Sequence, residues 1–314
     1  MTGKICVLGS YVCQMSAILP HVPVLGETIV AREFDMGQGG KGHNVAVAIH
    51  RLGCEVVLIE KIGQDIFGKM ALESYQEEGI DARHVTASDQ VSSGIGLVYI
   101  QPNGENTAAY YPGANDHLSG KDIENAKEDL ASADILYLQL EIPDEPVLKA
   151  VSLAKSTGMK IVLNPAPARE IPPGLLADID VLTPNQVEAF GLIGEPYQDH
   201  LSIGEIESLG KKLLELGPSE VYLTLGSRGA FFIDRAGQAH YQPRLPVEVI
   251  DTVGAGDAFN GALCVSIANG LPPKKSLFRA CVNGALTTTK IGVINALPTS
   301  EMVEAYIQHQ YQEH

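Results

Sequence analysis

The sequence predicts an α/β fold in which a mostly parallel central sheet is flanked by helices and carries a small β-sheet lid. Three observations predict it. Short β-type runs alternate with helical patterns across most of the chain, as in a parallel sheet wrapped by helices. Several of these runs are apolar almost throughout, which is typical of strands covered on both faces. Other β-type runs have no helix between them, which places them outside the main sheet.

The strands and helices of the main layer are predicted in alternation from the N-terminus. Core strands are expected at Lys4–Leu8, Val56–Ile62, Ile135–Gln139, Lys160–Leu163, Asp180–Thr183 and Val221–Leu225. Helices are expected at Gly42–Leu52, Phe67–Glu78, Lys121–Leu130, Glu145–Ser156, Ile203–Leu216, Ala258–Asn269 and Lys274–Lys290. No linker rich in Gly, Ser or Pro divides the sequence, so residues 1–314 are expected to form one domain.

The lid is expected from two segments, at about 11–36 and 94–111. Within them the β-type runs are Thr28–Phe34, Gly94–Ile100 and Thr107–Tyr111, and a Gly/Asn turn at Pro102–Asn106 separates the last two. A flap of this kind can close over a pocket and exclude water from it.

Composition and charge restrict the class of protein. The chain is 45% hydrophobic and 19% charged, as in ordinary globular proteins, and no apolar run approaches the ~18 residues that a membrane span needs. The first residues lead into an apolar strand without the pattern of a signal peptide, so a cytoplasmic protein is expected. A formal net charge of −16 repels nucleic acids and anionic membranes, and neither is expected as a partner.

The five cysteines are scattered, odd in number and never spaced as C-x-x-C, so reduced, buried thiols are expected. The nine histidines form no H-E-x-x-H or similar cluster. No structural metal is therefore expected.

The segment DTVGAGDAFNG, at Asp251–Gly261, predicts an anion-binding site that contains an acid. Glycines at Gly254 and Gly256 allow backbone N–H groups to approach a ligand, and the helix that follows directs its positive end there. Asp257 would stand beside the bound anion. If that anion is a phosphoryl group in transfer, the carboxylate can orient the attacking hydroxyl and receive its proton. The alternative is an ordinary loop with an acid near a helix start, where acids are favoured anyway.

The segment GQGGKGHN, at Gly37–Asn44, contains a G-x-G-x-x-G pattern but does not predict a dinucleotide site. The segment before it carries three charged residues, whereas the first strand of a dinucleotide-binding unit is buried and apolar. It is not a P-loop either, because Gly42 stands where Ser or Thr is required. What remains is a glycine loop that projects Lys41, His43 and Asn44 toward a small polar ligand. The alternative is a plain strand-to-helix turn.

Polar residues follow three successive predicted strands, at the edge where open α/β sheets bind their ligands. Glu141 ends the segment LQLE, and NPAPAR follows the next strand at Asn164–Arg169. In TPNQVE, Asn185 and Glu188 lie three residues apart across a strand-to-helix junction, so both can face one side and organise Mg²⁺ waters or phosphate oxygens. Each of these alone is equally consistent with a cap or a turn.

The segment TLGSRGA, at Thr224–Ala230, ends a predicted strand with small residues. Its backbone N–H groups and the hydroxyls of Thr224 and Ser227 can hold nucleotide phosphates. A tight hairpin turn is the alternative.

Taken in order, these motifs resemble those of the ribokinase family of carbohydrate kinases, and the resemblance extends from about Val7 to Gly292. It implies a three-layer ribokinase-like fold with a β-sheet lid that often forms a dimer contact. It further implies phosphorylation of a sugar hydroxymethyl group by ATP with Mg²⁺. In view of the net charge of −16, a bound nucleotide would need local N–H groups, Mg²⁺ or both.

The resemblance also implies roles for individual residues. Asp257 corresponds to the catalytic base, and Gly254, Ala255 and Gly256 supply the N–H groups of the anion hole. The sugar site would comprise Asp257 with Gly39, Gly40, Lys41, Asn44 and Glu141. The nucleotide site would comprise Asn185, Thr224, Gly226, Ser227, Gly229 and Gly256. Glu188 would lie near Mg²⁺, and Asp251, Val253 and Gly292 would hold a monovalent cation such as K⁺.

One departure from the family pattern concerns the acceptor. Members of the family read G-S-x-N-x-D after the first strand, and the Asn and Asp bind sugar hydroxyls, whereas this chain has Val12 and Gln14 at those places. Gln14 can still contact the sugar, but a neutral amide is a weaker partner than a carboxylate, by roughly 1 kcal/mol or more. His43 stands where a small residue is usual. The acceptor could therefore be a ribose-like sugar or, alternatively, a nucleoside. A non-catalytic sugar sensor on the same fold is the third interpretation.

Overall fold

The computed structural model describes residues 3–102 and 106–312, which form two β-sheets and their flanking helices. The predicted turn at Pro102–Asn106 lies mostly outside the described residues. The strands are β1 Lys4–Leu8, β2 Val12–Ile18, β3 Glu33–Gly39, β4 Glu55–Gly63, β5 Val85–Ser88, β6 Gly94–Ile100, β7 Asn106–Tyr111, β8 Ile135–Leu138, β9 Lys160–Leu163, β10 Val181–Leu182, β11 Glu220–Thr224, β12 Ala230–Asp234 and β13 Ala239–Gln242.

The α-helices alternate with these strands through most of the chain. They are α1 Lys41–Arg51, α2 Ile66–Glu78, α3 Gly120–Asn125, α4 Lys127–Ala131, α5 Asp144–Thr157, α6 Gln186–Ile193, α7 Ile203–Glu215, α8 Ala255–Ala268, α9 Pro273–Thr287 and α10 Ser300–Gln312. None of the helices described combines the length and the apolar character that crossing a bilayer requires.

The main sheet has nine strands in the order β13-β12-β11-β10-β9-β8-β1-β4-β5. It is parallel from β11 to β5 and antiparallel at β12 and β13. Helices cover both faces. Within β1, Cys6 and Leu8 belong to one apolar core while Ile5 and Val7 belong to the other, because successive side chains of a strand point to opposite faces. The three-layer fold is therefore as expected.

One predicted helix is two helices. The pattern over Lys121–Leu130 is interrupted at Ala126, which adopts φ −97° and ψ 2° and separates α3 from α4. The Ala126 N–H bonds to the carbonyls of both Asp122 and Ile123, as in the tighter geometry that often ends a helix.

The lid is a four-stranded sheet in the order β3-β2-β6-β7. The predicted strand at Thr28–Phe34 is wrong over most of its length, because the strand begins only at Glu33 and continues to Gly39. Residues 28–32 belong instead to the loop before β3, and the Arg32 N–H at its end donates a 2.8 Å hydrogen bond to the Ile18 carbonyl. The two other predicted lid strands match β6 and β7 closely.

The register of the lid gives its two faces different chemistry. Cross-strand partners share a face, and those of Val12 and Gln14 are all glycines: Gly39 and Gly94 for the first, Gly37 and Gly96 for the second. On β7, the cross-strand partner of Gly96 is Tyr110, so the Tyr110 side chain also lies on this face. We call it the glycine face. The other face carries exposed apolar side chains, those of Phe34, Met36, Leu97, Tyr99 and Tyr111.

Glycines also determine how the lid joins the main layer. Gly40, between β3 and α1, has φ 96°, and a Cβ there would lie 2.4 Å from the Ser10 carbonyl oxygen. A Cβ at Gly42 would lie 2.2 Å from the Gly9 Cα. The glycines of the GGKG segment therefore permit close packing of α1 against the turn from β1 to β2, where the sequence suggested close approach to a ligand.

Candidate active site

A cavity of about 540 Å³ opens where the carboxyl ends of the central strands meet the N-terminus of α8. Ten of the residues predicted for the site line it together, although they come from distant parts of the chain. These are Lys41, Asn185, Glu188, Thr224, Gly226, Ser227, Gly229, Ala255, Gly256 and Asp257.

Asp257 lies in the first turn of α8 with 8% of its surface exposed. Its Oδ2 accepts a 2.7 Å hydrogen bond from the Asn44 Nδ2, which joins the two glycine segments of the sequence. Burial raises the pKa of the Asp257 carboxyl, and the Lys41 charge and the Asn44 hydrogen bond oppose that rise. A carboxylate in this position is a better proton acceptor than one in water, because its basicity is greater.

Two glycines before Asp257, Gly254 and Gly256, are glycines for different structural reasons. Gly254 ends the approach to α8 with φ 79°, and a Cβ there would lie 2.6 Å from the Val293 Cγ1. Gly256 lines the cavity, and a Cβ built there meets no atom of the described residues within 4 Å apart from its own turn of helix. The first turn of a helix leaves N–H groups without intrahelical partners, and at Ala255 and Gly256 this turn borders the cavity.

Lys41 and Glu141 meet at the start of α1. The Glu141 Oε2 accepts a 2.6 Å hydrogen bond from the Ser10 Oγ and a 3.1 Å hydrogen bond from the Lys41 backbone N–H. Burial alone would lower the pKa of the Lys41 ammonium, but the carboxylates of Asp257, Glu141 and Glu188 raise it above its ordinary value. Lys41 is therefore a charged group placed among the acids of the site.

Asn185 and Glu188 form the N-terminal cap of α6. The Asn185 side chain accepts from the Glu188 N–H at 2.8 Å, and the Glu188 carboxylate accepts from the Asn185 backbone N–H at 2.8 Å. The cap that the sequence left open as an alternative is thus present, and both residues also line the cavity. Burial raises the pKa of Glu188; the Asn185 N–H and Lys41 lower it, and Asp257 raises it further.

The Thr224–Gly229 loop is the tight turn that joins β11 to β12. The Leu225 N–H donates to the Gly229 carbonyl at 2.9 Å, and Gly226 and Gly229 have φ of 57° and 101°. The hairpin alternative is therefore also present in the structure. Since Thr224, Gly226, Ser227 and Gly229 line the cavity, the turn and a ligand contact are compatible.

The three residues assigned to a monovalent cation come together beside α8. The two carboxylate oxygens of Asp251 accept hydrogen bonds from the backbone N–H groups of Val253, at 3.0 Å, and Gly292, at 3.1 Å. Gly292 has φ 85°, a conformation that favours glycine.

One expectation about the glycine loop is wrong: His43 does not project toward a ligand. It is fully buried, with its ring centroid 5.5 Å from that of Tyr11 and 4.8 Å from that of Tyr75. Because α1 begins at Lys41, successive residues turn by 100°, and His43 faces the core while Lys41 faces the cavity. Burial lowers the pKa of His43 to about 3, so the ring is neutral.

The glycine face of the lid carries Gln14, one of the residues predicted to contact the acceptor. Gln14 lies on this face and donates a 3.2 Å hydrogen bond to the Ser16 Oγ. Tyr110 lies on the same face, and its pKa is raised first by burial and then by the charge of Glu141. The sequence reasoning missed Tyr110 and Ser10. Only the alternation of residues along β7 could have indicated Tyr110.

Comparison with known proteins identifies the class to which this fold and site belong. A model of the pfkB family of carbohydrate kinases matches residues 2–300, so the chain belongs to that family. Together with the relatives described next, this makes it an ATP-dependent sugar kinase, as the sequence motifs predicted.

Individual relatives show which members of the family this chain is similar to. Ribokinase of Haemophilus influenzae is 33% identical over 309 residues, which cover 98% of this chain and 100% of the relative. Deoxyribokinase of Salmonella typhi is 32% identical over 304 residues, which cover 96% and 98%. The structure of Arabidopsis thaliana ribokinase complexed with ribose and ATP matches with a TM-score of 0.89 at 28% identity, covering 97% of this chain and 98% of that one.

Proposed function

We propose that this sugar kinase transfers the terminal phosphoryl group of ATP to a primary hydroxyl of a ribose-like sugar, with Asp257 as general base. One observation carries the proposal: the hydrogen bond from Asn44 to Asp257 at the N-terminus of α8. It joins the segment next to the lid to the wall of the cavity. The acid therefore stands between the proposed acceptor side and the proposed nucleotide side.

The proposed reaction uses the groups already described. Asp257 accepts the proton of the sugar hydroxyl as its oxygen attacks the terminal phosphorus, and ADP leaves with the electrons of the broken P–O bond. The N–H groups of Gly254, Ala255 and Gly256 stabilise the negative charge on the transferring group, and such preorganised donors contribute about 10² to 10³ in rate each. Lys41 is a cation beside Asp257 and helps to stabilise the negative charge on the transferring phosphoryl group.

The proposed sugar-binding residues are those near Asp257 on the lid side. Asn44 and Glu141 offer hydrogen-bonding groups, and Lys41 lies between them. The backbone of Gly39 and Gly40 continues this surface into the lid. Gln14 completes it from the glycine face. Asn185, Thr224, Gly226, Ser227, Gly229 and Gly256 form the proposed nucleotide side, on the support of their position in the cavity wall.

The donor set fits Mg²⁺ held mainly by phosphates and water. No group of three or more His, Cys, Asp or Glu suited to a metal occurs among residues 3–102 and 106–312. Glu188 supplies one buried carboxylate in the cavity wall, which suits an ion that keeps most of its water shell. Bound Mg²⁺ would neutralise phosphate charge. The loop tied by Asp251 to Val253 and Gly292 is the proposed K⁺ site, which K⁺ activation of the wild type but not of Asp251→Ala would support.

An acceptor panel tests this proposal. We expect ADP release with ATP, Mg²⁺ and ribose or 2-deoxyribose, and little with nucleosides. Nucleosides as the better acceptors would replace the sugar assignment by a nucleoside kinase. Sugar-dependent shifts of the melting temperature with no ADP formed would indicate a sensor, and would contradict the kinase.

We propose a homodimer on the support of the exposed apolar face of the lid, and a cytoplasmic location on the support of the free cysteines. The exposed apolar face of the lid, with Phe34 65% and Met36 41% exposed, is proposed as the contact of a homodimer. The chain is proposed to act as one domain in the cytoplasm, where its five free cysteines would stay reduced.

A further inference from the structure

Two basic side chains of the described residues line the cavity, and their surroundings differ. Lys41 is placed among the carboxylates of Asp257, Glu141 and Glu188. Arg244, which lines the same cavity, is exposed, and within the described part of the chain no ion pair or hydrogen bond engages its guanidinium. Arg244 is therefore a cation of the cavity that is free to meet a ligand.

The backbone of Arg244 is held firmly beside the nucleotide turn. A Cβ at Gly229 would lie 2.0 Å from the Gln242 carbonyl oxygen and 2.9 Å from the Arg244 N, so the two segments touch there. The Tyr241 hydroxyl donates a 2.7 Å hydrogen bond to the Arg228 carbonyl, which joins the same segments again. The Arg244 side chain therefore projects from backbone that packs directly against the Thr224–Gly229 turn.

The charge of the site makes an additional cation useful. The chain has a net charge of −16, and the cavity wall contains the carboxylates of Asp257 and Glu188. A polyphosphate that enters it meets repulsion. The N-terminus of α8 and Arg244 both border this cavity, so each can offer positive charge to a phosphate chain bound there. A planar guanidinium pairs well with phosphate oxygens through parallel N–H donors.

We propose that Arg244 binds the phosphate oxygens of the nucleotide and is a binding residue of this kinase that its sequence motifs do not indicate. The proposal rests on the use of ATP and is independent of which sugar is the acceptor. Adjacent Arg228 cannot serve the same purpose, because its guanidinium donates to the Leu201 carbonyl and to Gln186.

A series of nucleotides that differ in phosphate number tests the proposal. Titration calorimetry with adenosine, ADP and ATP would be run on wild type, Arg244→Gln and Arg244→Lys in Mg²⁺ buffer. We expect Arg244→Gln to weaken ADP and ATP by about tenfold, as for loss of a charge-assisted hydrogen bond, and adenosine by less than about twofold. Arg244→Lys should lie between. The effect on ATP should shrink at high salt.

The matched control is Arg32→Gln, which removes the same charge from an exposed loop outside the cavity. It should leave the affinity for ATP unchanged. Kinetically, Arg244→Gln should raise KM for ATP without changing KM for the sugar. Equal weakening of adenosine and ATP would show that Arg244 acts on the base or on the shape of the cavity, and unchanged ATP binding would show a merely solvated arginine. Either result overturns the proposal.

Discussion

At the scale of single residues, a buried acid outside the cavity wall affects the pH dependence of stability. Glu60 on β4 is fully buried, and its Oε2 accepts a hydrogen bond from the Tyr75 hydroxyl, while its Oε1 has no hydrogen-bond partner among the residues that the structure describes. Burial raises the pKa of Glu60 from its ordinary value of 4.5 to about 8; the Tyr75 hydrogen bond lowers it, and Glu141 raises it. The folded protein thus holds a proton there that the unfolded chain releases.

This proton predicts a pH dependence of stability. Between pH 4.5 and 8 the folded state binds more protons at Glu60 than the unfolded state, so this residue's contribution to the free energy of unfolding falls as pH rises through that window. Glu60→Gln removes this pH-dependent contribution to the free energy of unfolding. From pH 5 to pH 8, the free energy of unfolding of the variant should rise relative to that of the wild type by on the order of a few kcal/mol, measured by urea unfolding.

The control for Glu60→Gln is Glu77→Gln, which removes an exposed carboxylate from α2. Its difference from wild type should stay constant across the same pH range. A constant difference for Glu60→Gln as well would mean that the buried carboxyl is ionised throughout.

Gln14 and Val12 carry a second prediction at the residue scale. If the glycine face of the lid meets the sugar, Gln14→Asp with Val12→Asn restores the carboxylate and the amide of the family pattern, and KM for ribose should fall about fivefold or more. KM for ATP should not change. Ser16→Asp adds the same charge two residues along β2 and should give no such gain, while unchanged ribose kinetics in the double variant would count against this placement of the lid.

At the scale of elements, the N-terminus of α8 combines a structural glycine and a ligand-facing one. We predict that Gly256→Ala folds normally, because its Cβ meets no described atom within 4 Å outside its own turn of helix. It should nevertheless lose about tenfold or more in turnover, because the methyl enters the cavity beside the transferring group. Gly254→Ala should instead destabilise the fold by about 1–3 kcal/mol, since φ is 79° and Val293 blocks the Cβ.

Thermal unfolding and steady-state kinetics on both variants check this contrast. The reverse pattern, with Gly256→Ala unstable and Gly254→Ala stable but slow, would contradict the assignment of the two glycines.

The predicted elements were correct where the pattern was strong. β1 and β9 match the predicted residues, because a short apolar run between turns defines a buried parallel strand. β3 was misplaced, since its exposed residues carry no periodic signal, and β2 was recognised only as part of a lid segment. Likewise, the motifs indicated the acids of the site, but the orientation of His43 depends on where α1 begins, which the sequence does not define closely.

At the scale of the whole molecule, the lid offers an apolar surface that a monomer would expose. We predict that the wild type sediments as a dimer and that Phe34→Asp with Met36→Asp sediments as a monomer, because two charges would be buried at the contact. Asp35→Lys, between them in sequence but on the glycine face, should remain dimeric. A monomeric wild type at micromolar concentration would contradict the lid contact.

The acidity of the whole molecule restricts where a polyanion can bind. A strongly acidic chain binds a polyanion only where N–H groups, a cation and Mg²⁺ converge, and the cavity beside α8 collects the first two of these. The motifs predicted this convergence from sequence because each stands at a strand or helix end. Arg244 was not predictable, since its segment is irregular and no motif marks it.

The kinetics of Asp257→Asn test the central claim most directly. The substitution keeps the shape of the side chain and an oxygen that can accept from Asn44, but removes the proton acceptor. Turnover should fall by about 10² to 10⁴ while the affinity for ATP stays within about twofold of wild type. A variant that retains nearly full turnover would show that Asp257 does not take the proton of the acceptor hydroxyl.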